Sequence, residues 1–71
     1  MAAPKELDHV LLVEREGLPA CYVSRIHADG TVSMTWDQAQ ARRMGEKAAA
    51  KHEAKLNASF RLARFEARRE P

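Results

Sequence analysis

The segment from Gly45 to Asn57, GEKAAAKHEAKLN, constrains the fold of this 71-residue chain more than any other. Its alanines, glutamates and lysines are strong helix formers. Four side chains spaced four residues apart fall in one stripe on such a helix: Met44, Ala48, His52 and Leu56. We expect a helix that covers the apolar face of a small sheet, with Gly45 as its N-cap and Asn57 at its end.

The residues before this helix have the pattern of strands separated by turns. Three segments predict an antiparallel meander: 7–14, 20–27 and 31–36. The tripeptide Ala28-Asp29-Gly30 is typical of a tight hairpin turn, because Asp and Gly tolerate left-handed backbone angles. The first segment contains VLLV, which is apolar on both sides. It is therefore either covered on both faces, or leaves one face for a partner.

Side-chain parity predicts which residues of these strands reach the core. The third strand has one apolar side, formed by Val32, Met34 and Trp36. We expect this side to be half-buried, with Trp36 and Phe60 in the core and Tyr22 packed under the helix. Asp37 is expected to cap a short helical turn through residues 38–41.

The tail after Asn57 has two interpretations. Phe60 and Leu62 alternate as in a strand, with Phe65 returning to the core after a bulge. The absence of Gly and Pro between Gly45 and Pro71 instead favours one continuous helix from Glu46 to Arg69.

The predicted fold class is α+β in one domain, residues 1–71. It contains a three-stranded antiparallel meander, one main helix packed on the sheet and a final C-terminal strand, with residues 1–5 and 68–71 as loose ends. The alternative is a meander followed by one long C-terminal helix. A single cysteine, Cys21, cannot form an internal disulfide, which favours a reducing cytoplasm. We expect a cytoplasmic protein without a membrane segment.

Charge is divided unevenly along the chain. Residues 1–37 carry three basic and six acidic groups, a net charge of −3, whereas residues 38–71 carry nine basic and four acidic groups, a net charge of +5. Lys47, Lys51 and Lys55 repeat every four residues, and no glutamate stands three or four residues from any of them. The C-terminal half therefore predicts a basic surface for an anionic partner. The candidate partner-binding residues are Arg42, Arg43, Lys47, Lys51, Lys55, Arg61 and Arg64.

No catalytic motif accompanies this basic surface. Cys21 lies inside a predicted strand, which favours a buried apolar role over that of a nucleophile. His9, His27 and Asp29 lack the spacing of metal ligands. We therefore expect no enzyme activity, no metal and no cofactor.

Several short motifs resemble those of small proteins encoded by bacteriophages and prophages, some anti-CRISPR proteins among them. They span residues 20–67 and comprise Tyr22-Val23, Asp29-Gly30-Thr31-Val32, Thr35-Trp36-Asp37, Ala41-Arg42-Arg43-Met44, Leu56-Asn57 and the segment Phe60–Glu66. The resemblance implies a final strand at Phe60–Glu66. It also implies a non-enzymatic inhibitor that binds a host defence complex in the bacterial cytoplasm and blocks it by occlusion.

Two other interpretations of the same residues remain open. The basic half is also compatible with a small nucleic-acid-binding protein. The chain is expected to be a monomer, or a homodimer joined through strand edges or the VLLV face.

Overall fold

Four strands and one α-helix make up the part of the chain that the computed structural model describes, residues 7–70. In chain order they are β1 (His9–Arg15), β2 (Leu18–Ile26), β3 (Val32–Thr35), a short 3-10 turn (Gln38–Gln40), α1 (Glu46–Ser59) and β4 (Arg64–Arg69). The strands form one sheet in the order β3-β2-β1-β4, and each neighbouring pair is antiparallel. The predicted α+β class, with a meander, one helix and a final strand, is confirmed. The alternative of one helix from Glu46 to Arg69 is wrong.

The predicted turn chemistry is confirmed at two places. Between β2 and β3, Gly30 has a φ of 92°, and the Asp29 carboxylate accepts hydrogen bonds from the main-chain N–H and the hydroxyl of Thr31 at 3.0 and 2.7 Å. After β3, the Asp37 carboxylate accepts from the Ala39 N–H at 2.9 Å and caps the short 3-10 turn. These local bonds fix where β3 begins and where the chain leaves it.

The core lies between β1 and α1. β1 is a central strand of the sheet. Its alternate residues Leu11 and Val13 face the helix and pack with Leu56 and Phe65. All four residues of VLLV are buried, so this segment is covered on both faces. The alternative in which one of its faces is left for a partner is wrong.

The helix buries a different stripe from the predicted one. Ala49 and Leu56 are buried, whereas Ala48 is exposed and His52 is half-buried. A spacing of four residues exceeds the 3.6-residue turn, so a stripe built on it winds away from the sheet. Gly45 is the N-cap as predicted, but the helix ends at Ser59 rather than at Asn57.

Two aromatic side chains lie elsewhere than predicted. Trp36 is 62% exposed, because α1 packs over β4 and β1 and leaves β3 uncovered. Tyr22 alternates with the buried Val23, so it projects from the other side of β2, where its hydroxyl donates to the Glu70 carboxylate at 3.4 Å. The assignment of Trp36 to the core, and of Tyr22 to the helix side, is therefore wrong.

The final strand is real but begins later than predicted. Phe60 ends the helix, donating its N–H to the Leu56 carbonyl at 2.9 Å, and its half-buried ring packs on Phe65 at a centroid distance of 5.6 Å. Leu62, in the connecting loop, is 91% exposed. Strand pairing runs through Arg68 and Arg69, so these two residues are not loose. The predicted loose end at residues 1–5, and Pro71, lie outside the described residues.

Side chains of α1 hold the outer edge of β4. Asn57 donates to the Phe65 carbonyl at 2.9 Å and accepts from the Phe65 N–H at 2.8 Å. One helical turn earlier, the Glu53 carboxylate accepts from the Ala67 N–H at 2.6 Å. Phe65 and Ala67 therefore satisfy main-chain groups at the edge of the sheet with side chains from the helix, where a fifth strand would otherwise pair.

Replacing Asn57 by alanine should lower the free energy of unfolding by about 1–3 kcal/mol, since two main-chain groups of Phe65 lose their partner. Urea unfolding followed by circular dichroism measures this. Gln40→Ala is the matched control, because the exposed side-chain amide of Gln40 makes no hydrogen bond to any residue in 7–70, and its main-chain bond to Asp37 is kept in the variant. An equal loss in the two variants would contradict the role of Asn57.

Candidate partner-binding surface

The two flanks of α1 carry different chemistry. Glu53 and Asn57 project towards the outer edge of β4, where they bond to the strand. Lys51 stands two residues before Glu53, and Lys55 two residues after it, which places each of them about 160–200° around the helix from the carboxylate. Lys51 and Lys55 therefore project on the flank nearer β2, away from Glu53. The other acid of the helix, Glu46, lines a cleft with Arg42 and Lys47.

Arg42 joins these lysines through its main chain. Its N–H donates to the Val23 carbonyl in β2 at 2.9 Å. Two residues on, Met44 exchanges two main-chain hydrogen bonds with His9 in β1, at 3.0 and 2.9 Å. The segment 42–44 thus links β1 to β2 immediately before the helix, and it holds Arg42 beside α1.

We call the surface formed by Arg42, Lys47, Lys51, Lys55 and His52 the basic flank. The four cationic residues are exposed, and the imidazole is half-buried between them and the sheet. Burial lowers the pKa of His52, and the positive charges of Arg42, Lys51 and Lys55 lower it further. The pKa of His52 is therefore lowered by cations from two parts of the chain, the helix and the segment before it.

No carboxylate of residues 7–70 forms an ion pair with the basic flank. The ion pairs of this part of the chain join Asp8 to His9 and Arg69, and Glu66 to Arg68. Exposed like charges in a helix repel by a few tenths of a kcal/mol per pair. The basic flank thus has no ion-pair partner among the described residues, although Glu46 lines a cleft with Arg42 and Lys47. An anion bound there would relieve the repulsion among the cations.

The flank of α1 nearer β4 is neutralised locally. Asp8 lies within 2.8 Å of both the His9 imidazole and the Arg69 guanidinium. Burial would raise the pKa of Asp8, but the hydrogen bonds from Arg69 and His9 outweigh it and hold the pKa below its usual value. These groups line a cleft of about 490 Å³ together with Glu46. Acidic and basic side chains face one another there, in contrast with the basic flank.

The seven predicted binding residues do not form one surface. Lys47, Lys51 and Lys55 lie along one side of α1, as their spacing predicted, and Arg42 lies beside it. Arg43 instead donates to the main-chain carbonyl of Glu70, whose carboxylate also bonds to Gln38. Arg61 is exposed in the loop between α1 and β4, and Arg64 begins β4 opposite Glu14. Arg61 and Arg64 therefore lie apart from the basic flank, whereas Arg43 borders it and lines a cleft with Arg42 and Lys47.

Sequence reasoning missed the central position of His52 in this surface. Its spacing of three residues from Lys55 already places it near that lysine on a helix. The approach of Arg42 depends on the pairing of residue 44 with β1, a contact between distant segments that no local pattern indicates.

The residues considered for catalysis or metal binding lie in separate places. The prediction that Cys21 is buried is confirmed; its sulfur lies 3.7 Å from the Arg15 guanidinium and 3.8 Å from the Met34 sulfur. The His27 ring contacts the Ser33 hydroxyl at 2.8 Å, away from His9. Within residues 7–70, no three His, Cys, Asp or Glu side chains are arranged to hold a metal ion. In the same range, no helix is long and apolar enough to cross a membrane.

Known proteins provide no template for this surface. No protein-family model matches the chain, and neither the curated proteins nor the solved structures give a match. Its function is therefore argued from its own side chains.

Replacing Lys55 by glutamine should raise the pKa of His52, because one of the positive charges that oppose imidazole protonation is removed. The pKa should stay below 6.5, since the burial of the ring remains. Two-dimensional NMR titration of the imidazole measures the shift. Arg25→Gln removes a charge that does not act on His52 and should leave its titration unchanged.

Proposed function

We propose that this chain is a non-enzymatic binding protein of the phage anti-CRISPR type, which docks its basic flank on an acidic surface of a host defence complex and occludes it. The observation that carries the proposal is the arrangement of Arg42, Lys47, Lys51 and Lys55. All four are exposed, and they form no ion pair with a carboxylate of residues 7–70. Three of them, Arg42, Lys51 and Lys55, act on the half-buried His52.

The opposite flank explains why Glu53 does not neutralise the lysines of the helix. The Glu53 carboxylate is bonded to the Ala67 N–H, and it points away from the lysines. A protein that needed only solubility could place one glutamate four residues from a lysine and gain a few tenths of a kcal/mol. The separation of the two charges is instead suited to recognition.

Charge and shape would contribute differently to binding. The field of several like charges accelerates encounter with an acidic surface. Once docked, Arg42 can form two parallel hydrogen bonds to one carboxylate, whereas each lysine acts as a point charge. The main chain of Arg42 is held beside α1 by its hydrogen bond to β2. We therefore assign to Arg42 the largest share of the binding energy.

A nucleic acid is the second candidate partner, and Trp36 is the observation that favours it. The indole is 62% exposed at the end of β3, where a base could stack on it, and the same cations could contact phosphates. Salt dependence separates the two partners. Phosphate binding weakens log-linearly with salt, with a slope of about 0.9 per phosphate neutralised on duplex DNA, whereas a protein interface loses mainly association rate.

Charge reversal at Lys51 and Lys55 should abolish capture of the partner from a bacterial lysate, with the fold intact by circular dichroism. The expected reason is direct repulsion between the new carboxylates and an acidic surface. The matched control reverses Arg25 and Arg68, two exposed arginines outside the basic flank, with the same change in net charge. Capture by the Lys51→Glu/Lys55→Glu variant at the wild-type level would contradict the proposal. Loss in both variants would indicate net charge alone.

The captured partner should bind more tightly as the pH falls from 7.5 to 6. In the free protein the pKa of His52 is lowered, partly by Arg42, Lys51 and Lys55. An anionic surface cancels their field and raises that pKa, so binding takes up a proton and is strengthened by up to about tenfold per pKa unit. Titration calorimetry at both pH values measures this. His52→Gln should lose the part of the dependence that comes from His52, and an unchanged dependence would contradict contact at this surface.

A further inference from the structure

The two outer edges of the sheet differ in how they are protected. At β4, Asn57 and Glu53 occupy main-chain groups of the strand. The strand is also strongly charged, a common protection against pairing with another chain: it carries Arg64, Glu66, Arg68 and Arg69. At β3 the only main-chain hydrogen bonds within residues 7–70 run to β2, on its inner side. The outer edge of β3 is therefore open.

The side chains of the open edge itself are uncharged and partly apolar, and the exposed Asp29 and Asp37 flank it. The segment 31–36, TVSMTW, contains no charged residue. Met34 is 39% exposed and contacts the buried Cys21 on the helix side of the sheet, and Trp36 is 62% exposed. No part of α1 packs closely over β3, since the helix contacts β4 and β1. The fold thus protects one edge with hydrogen bonds and charges, and leaves the other both open and apolar.

We propose that β3 is the interface for a second copy of this chain, with the two β3 strands paired antiparallel about a two-fold axis. Such an interface places the same segment opposite itself. Because 31–36 carries no charge, the two paired segments do not themselves repel each other, and Met34 can pack against apolar side chains of the other copy. The same arrangement at β4 would bring arginines against arginines, on an edge that α1 already occupies.

The two-fold axis has a consequence for the helices. An axis perpendicular to the sheet keeps both copies of α1 on the same face of an eight-stranded sheet. Each helix leaves its own β3 uncovered, so the uncovered regions meet in the middle. Lys51 and Lys55 project on the flank nearer β2, so the two basic flanks face each other across this trough. The association itself does not depend on what the basic flank binds.

The dimer is expected to be weak. Six residues a side is well below the 20–30 a side of a standard interface, so we expect a dissociation constant on the order of 10–100 μM. A short edge strand contributes few hydrogen bonds, and the exposed Met34 and Trp36 supply most of the apolar area.

Sedimentation equilibrium over roughly 5–500 μM, a range that brackets this constant, tests the proposal. The wild type should pass from monomer to dimer, and Met34→Lys should weaken association at least tenfold by placing two lysines near the axis. Leu62→Lys is the matched control: it converts an apolar side chain, 91% exposed and far from β3 along the chain, to the same cation. It should associate like the wild type.

A second variant guards against a folding defect in Met34→Lys, whose side chain contacts Cys21. Trp36→Lys alters a mainly exposed side chain and should weaken the dimer comparably. Trp36 is also the only tryptophan, so its fluorescence should change with concentration along the sedimentation isotherm in the wild type and in Leu62→Lys. A monomeric wild type throughout, or a dimer that survives Trp36→Lys unchanged, would overturn the proposal. Equal weakening by Leu62→Lys would also overturn it, since the interface would then not be specific to β3.

Discussion

Three hydrogen bonds from Glu53 and Asn57 to the edge of β4 determine how the rest of this fold is arranged. They draw the helix towards one side of the sheet, over β4 and β1, instead of across its centre. The buried residues Ala49 and Leu56 of the helix then pack in one core with Leu11 of β1 and Phe65 of β4. The same contacts fix the rotation of the helix about its axis. With Glu53 and Asn57 directed at β4, Lys51 and Lys55 lie on the side of the helix nearer β2.

The off-centre position of α1 also accounts for the incomplete cover of the sheet. In a sheet of four strands, one helix of 14 residues cannot cover both halves of a face. The half beneath the helix holds the core, and the other half is closed only in part, with Cys21 and Val23 buried but Met34 and Trp36 exposed. The proposed binding surface and the proposed dimer edge both lie towards this less covered half. Both therefore follow from the off-centre position of α1.

The sequence contained enough local information to predict the elements but not their exact faces. Turn chemistry at Asp29-Gly30 and the cap at Asp37 depend on neighbouring residues, and both were predicted correctly. The helix start at Gly45 was also local. The burial of Trp36 was wrong because parity describes one strand at a time, and it carries no information on where a helix 10 residues further on will rest.

In the candidate surface, too, local spacing predicted some of the residues, and contacts between distant segments placed the others. The lysine repeat is a property of one helix, so Lys47, Lys51 and Lys55 could be grouped from their spacing. Arg42 joined them through main-chain pairing of the segment 42–44 with β1 and β2, which was not visible in a local pattern. Arg43, the next residue, faces Glu70 instead, although the two arginines are equivalent in the sequence.

The pairing of β1 with β4 joins the two ends of the described chain, and this sets an order of assembly. β1 (residues 9–15) can pair with β4 (residues 64–69) only after the chain between them is closed into a loop. Closing so long a loop is slow compared with forming the β2–β3 hairpin. A helix of 14 residues is marginal by itself in water, and here its anchors are on β4. During synthesis the basic flank therefore becomes a fixed surface only once the last strand has left the ribosome, and a chain truncated before residue 64 would display the same lysines on an unanchored segment.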